Sequence, residues 1–101
     1  MTKDELTAWA LGSGWKLIGG HPSLCKPTRP GEAIVRLVLK ATVAAVEIRK
    51  PAGKWEKMAS AAYRDVVADP DDGVPRGLGF DSIPSLSRLM QDNRDAAVFG
   101  G

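Results

Sequence analysis

Between Glu32 and Lys50 the chain carries Ile34, Val35, Val38, Thr42, Val43, Val46 and Ile48, a run rich in β-branched side chains. Branching at Cβ restricts χ1 and suits a pleated surface better than a helix. A helix competes, because Glu32, Arg36 and Lys40 fall four apart on one polar stripe. The strand reading is preferred, and it constrains everything else. One strand from Glu32 to Arg49 would extend about 55–60 Å at ~3.3 Å per residue. A domain of 101 residues has a radius of gyration near ~13 Å, so the run must fold back on itself. The break is predicted around Lys40-Ala41-Thr42, although no Gly, Asn or Pro marks a turn there.

Alternation then sorts the faces. Val35, Leu37 and Leu39 share one face, and Arg36 and Lys40 share the other with Ile34 and Val38. In the next strand Ala44, Val46 and Ile48 lie together, while Glu47 and Arg49 point the opposite way. Pro51-Ala52-Gly53-Lys54 reads as a hairpin loop, with Trp55 through about Tyr63 as the returning strand. The pattern does not fix that strand's register.

The flanks supply the remaining elements. Thr2 and Glu5 have the spacing of a capping box, and Leu6, Trp9 and Ala10 make one apolar stripe. They predict a helix over about residues 3–11, closed by Gly12 and Gly14, with Trp9 as a core anchor. Trp15 through Lys26 reads as one or two short extended pieces broken at Gly19-Gly20, with Pro22 at an edge or in the turn. Residues 27–31 read as a loop. Asp69-Pro70-Asp71-Asp72-Gly73 is a turn cluster, and Pro75 through Gly79 continues it irregularly. A second helix is predicted from Asp81 or Ser82, with Pro84 in its first turn, Ile83, Leu86, Leu89 and Met90 as its stripe, and Asn93 as its stop. The expected architecture is α+β: one domain over residues 1–101, with an antiparallel three- to four-stranded meander sheet. An N-terminal helix and a C-terminal helix pack on one face of it.

The net charge of +2 conceals segregation. Residues 16–64 hold ten bases against three carboxylates, a net of +7, whereas residues 65–101 hold three bases against seven aspartates, a net of −4. The single cysteine excludes an internal disulfide. The opening Met1-Thr2-Lys3-Asp4-Glu5 is unlike a signal peptide, and no run approaches the ~18 apolar residues of a membrane span. A cytoplasmic protein with no membrane partner is expected.

Candidate chemistry is sparse. His21 and Cys25 are too few for a zinc site, and neither they nor Ser23 stand in a recognisable nucleophile motif. A calcium loop begun at Asp69 fails, because Gly73 falls at its fifth position and Phe80 at its twelfth. No cofactor or metal is expected. Arg76-Gly77-Leu78-Gly79 ahead of a helix resembles an anion-binding loop in composition, which makes Arg76, Gly77 and Gly79 candidates. The basic middle offers a second candidate: Arg36, Lys40 and Arg49 on one sheet face, with Lys50 and Lys54 at a hairpin end and Trp15, Trp55 and Tyr63 as stacking surfaces.

These features favour a small non-enzymatic protein-interaction or regulatory domain that engages a protein partner or self-associates. Nucleic-acid binding, to a single strand or RNA, through a basic sheet face is the alternative. A small anion binder or enzyme using residues 76–82 or the His21/Cys25 pair is the second alternative.

Overall fold

A computed structural model describes residues 1–26, 28–83 and 86–99. Helix α1 (Lys3–Gly12) leads into strands β1 (Lys16–Ile18), β2 (His21–Lys26), β3 (Arg29–Leu39), β4 (Val43–Arg49) and β5 (Trp55–Ala62). A short pair, β6 (Val67–Ala68) and β7 (Pro75–Arg76), and helix α2 (Leu86–Phe99) complete the chain. Strands β1 to β5 form one antiparallel meander in sequence order. The sheet has five strands rather than three or four, because residues 16–26 form a full hairpin about Gly19 and Gly20, both at positive φ. β3 also begins at Arg29, inside the stretch read as a loop, while Pro27 lies outside the described residues.

The turn between β3 and β4 falls at residues 40–42, as expected, and is closed by one local backbone bond together with a side chain from far along the chain. Lys40 donates its N–H to Val43 O (2.9 Å), and the Tyr63 hydroxyl donates to Lys40 O (2.6 Å). The turn is thus held by a side chain instead of a turn-forming residue.

Val35, Leu37, Ala44 and Val46 form the buried face. Leu6 and Ala10 of α1 and Leu86 and Met90 of α2 join them in one core, so both helices lie on the same face. Burial of a side chain such as Leu37 contributes about 1.5–3 kcal/mol. Trp9, Trp15 and Phe80 pack as a triangle with centroids 5.6–6.0 Å apart, tying α1 to the segment after β5. Ile34 departs from strict alternation. Leu24 pairs Val35 and Cys25 pairs Ala33, so a bulge skips Ile34 and lets it pack against the core instead of standing beside Arg36.

The C-terminal helix also differs from expectation. Residues 80–82 form a 3₁₀ turn entered through Gly79 at φ 69°, and α2 is described from Leu86; the predicted place of Pro84 lies outside the described residues. Asn93 does not stop α2. Its side-chain amide accepts from Cys25 N–H (2.9 Å) and donates to Cys25 O (3.0 Å), taking the place of a neighbouring strand where the short β1 no longer reaches. Gly14, at φ 99°, permits this closeness, since a Cβ there would stand 2.7 Å from Met90 O.

Candidate functional site

With both helices packed on one side, neither described helix covers the opposite face of the sheet. Register places Lys16, Ser23, Arg36, Glu47 and Lys57 in one row across five strands on that face. Arg49 and its partner Trp55 occupy the adjoining row. Among the positions that register assigns to this face, Glu47 is the only carboxylate, set against Lys16, Arg36, Arg49 and Lys57.

Arg36 is the centre of the row. Its Nε and Nη2 donate to Glu47 Oε1 at 2.7 and 2.6 Å, and its guanidinium carbon lies 4.0 Å from the Trp55 ring centroid. The arrangement keeps Arg36 flat on the sheet. Lys16, Arg49 and Lys57 are exposed and form no ion pair among the described residues.

The sequence-derived candidates separate into groups. Arg36 and Arg49 both fall on the outer face by register, Arg36 lying over the Trp55 ring and Arg49 being the strand partner of Trp55 with its Nη2 near Gly53 of the hairpin loop. Lys40 follows the end of β3 and sits in the turn at the opposite end of the sheet from Lys50 and Lys54. Lys50 Nζ pairs with Glu56 at 3.1 Å beside the hairpin loop. Lys16 and Lys57 escaped the sequence reading because their placement depends on register. Met58 is the extra residue of a bulge between the Val46–Ala59 and Glu47–Lys57 pairs, which breaks the alternation that would have shown Lys57 facing out.

The three aromatic candidates are differently disposed. Trp15 is 2% exposed, and its Nε1 donates to Met90 Sδ at 3.2 Å in the core. Tyr63 is half-buried and committed to Lys40 O; burial pushes its hydroxyl pKa up. Trp55 alone stands on the outer face, and Arg36 covers one side of its ring.

Arg76, Gly77 and Gly79 line a cavity of about 500 Å³, together with Asp69, Asp72 and Asp81. Arg76 is paired with Asp69. The Asp71 N–H (2.7 Å) most strongly holds the Asp69 carboxyl below the usual aspartate range; burial opposes it, and the Asp72 N–H and Arg76 add to it. Gly77 serves chain packing, for a Cβ there would stand 2.7 Å from Asp65 O. The cavity therefore presents three carboxylates beside one guanidinium that already has a partner, a setting that repels anions.

His21 and Cys25 lie four residues apart on β2, roughly 13 Å at strand spacing. Cys25 is buried, and the Ser23 hydroxyl donates to His21 O (2.8 Å). Proton transfer between His21 and Cys25 is out of reach at that separation. Among the described residues no group of three or more His, Cys, Asp or Glu is placed to hold a metal ion. No described helix is long and apolar enough to cross a membrane.

No family model matches the chain, and comparison with curated proteins and with solved structures returns no similar protein.

Proposed function

We propose that the protein is a small non-enzymatic interaction domain whose outer sheet face receives an acidic surface of a protein partner. The observation that carries this reading is the charge of the outer face: Lys16, Arg36, Arg49 and Lys57 against Glu47 alone. Such a face steers an acidic partner and fixes its register more than it adds raw affinity. The flat Arg36–Trp55 pair supplies an aromatic and guanidinium centre of the kind that dominates interface energetics.

The same charge attracts phosphate, so nucleic acid is the competing ligand. Single-strand binders stack bases on several aromatic side chains. Here Trp15 is in the core, Tyr63 is engaged by Lys40, and one side of Trp55 is covered, which favours a protein partner.

Capture from a nuclease-treated native extract tests the proposal, comparing the protein with the double variant Lys16→Glu/Lys57→Glu and the control Lys3→Glu on α1. The double variant is expected to lose a partner that the control retains. Equal capture by both variants, or binding abolished by nuclease, removes the outer face or the protein partner respectively.

A further inference from the structure

A second concavity lies on the helix-bearing side, at the sheet end that carries the β4–β5 hairpin. It is a groove of about 460 Å³, within the ~300–1,000 Å³ range of small-molecule sites. Ile34, Ile48, Ile83 and Leu89 line it, and Lys26, Arg49 and Lys50 stand among its lining residues. Ile34, Ile48 and Leu89 are packed against the core yet only half-buried, so apolar surface is left open inside the groove. The one carboxylate of the lining, Glu32, is engaged by Lys26 (3.8 Å) and Arg29 (3.4 Å). Lys50 is held by Glu56 at 3.1 Å. Arg49 has no carboxylate partner among the described residues, and its Nη2 lies 3.9 Å from where a Cβ on Gly53, another lining residue, would stand.

We propose that this groove binds a small organic monocarboxylate with an aliphatic or aromatic body. The apolar body covers Ile34, Ile48, Ile83 and Leu89, and the carboxylate pairs with the Arg49 guanidinium. Charge complementarity selects the headgroup: Lys26 and Lys50 already have carboxylate partners, Arg49 has none among the described residues, and its guanidinium presents paired donors that match a carboxylate. The volume selects a small molecule over a length of folded chain. Arg49 borders both this groove and the outer face, so the test includes Lys57→Glu, which alters the outer row and touches no lining residue of the groove.

Methyl NMR of the full chain, titrated with hexanoate, octanoate and 1-octanol, tests the assignment. Octanoate is expected to shift the methyls of Ile34, Ile48, Ile83 and Leu89, and each added methylene to tighten binding about fourfold. Arg49→Met, an exposed position, is expected to weaken octanoate roughly tenfold while leaving 1-octanol unchanged. Lys57→Glu should alter neither. Unmoved groove methyls, or equal affinity for octanoate and 1-octanol, overturn the proposal. Tighter binding of the blocked dipeptide acetyl-Leu-Asp-amide than of octanoate also overturns it, by assigning the groove to a peptide.

Discussion

Arg36 shows how one side chain acquires its role from neighbours on other strands. Glu47 takes two of its donors and Trp55 lies beneath it, with both charged side chains about three-quarters removed from solvent. Removing one partner leaves the other charge half-buried and unpaired. Glu47→Gln is expected to lower stability by about 1–3 kcal/mol in urea unfolding. The double variant Arg36→Met/Glu47→Gln should recover part of that loss, as a mutant cycle measures. The alternation of β3 and β4 made Arg36, Glu47 and Arg49 legible as outward residues, but not the pairing that joins Arg36 to Glu47. Pairing depends on register, and register follows from a turn that the local sequence does not announce. Asp69 gives a residue-scale prediction in pH. Its native pKa is depressed, chiefly by the Asp71 N–H. The unfolded chain therefore binds more protons in acid, and stability falls as pH drops from the ordinary aspartate range through the depressed native value. Asp69→Asn should flatten that acid limb in thermal melts from pH 5 to pH 2. A limb unchanged by the substitution would show that other carboxylates set it.

At the scale of elements, the meander and both helices were readable because periodicity and capping are local. Thr2 caps α1 and Glu5 returns the bond, with the Thr2 N–H donating to Glu5 Oε1 at 2.8 Å. What stayed hidden was set by distant contacts. The β3–β4 turn is closed by Tyr63, and the free edge of β2 is occupied by Asn93, which local propensity alone marks as a helix stop. Asn93→Ala removes the partners of the Cys25 N–H and C=O together. It is expected to cost about 1–3 kcal/mol and to speed amide exchange at Cys25 beyond that of Leu24. Tyr63→Phe should cost less, about 0.5–1.5 kcal/mol, and loosen Lys40 through Val43. Equal exchange at Cys25 and Leu24 in the Asn93 variant would mean that α2 does not protect that edge.

Across the whole molecule, the charge segregation seen along the chain persists in space. The ion pairs among the described residues join Lys26 and Arg29 to Glu32, Arg36 to Glu47, Lys50 to Glu56, and Arg76 to Asp69. None joins a base of residues 16–64 to an aspartate of residues 65–99. Among the described residues the acidic C-terminal segment thus does not neutralise the basic sheet, and under the proposed function a second copy is one acidic candidate. Light scattering over a range of concentration and salt is expected to give the monomer mass at physiological salt. A concentration-dependent doubling that salt reverses would make the second copy the acidic partner. The most direct test of the outer face is a lysine footprint of the protein bound to its captured partner, comparing acylation rates with those of the free chain. Lys16 and Lys57 should be protected while Lys3 on α1 reacts as before. Protection at Lys3 with Lys16 and Lys57 unchanged would place the partner on the helices and contradict the assignment of the sheet face.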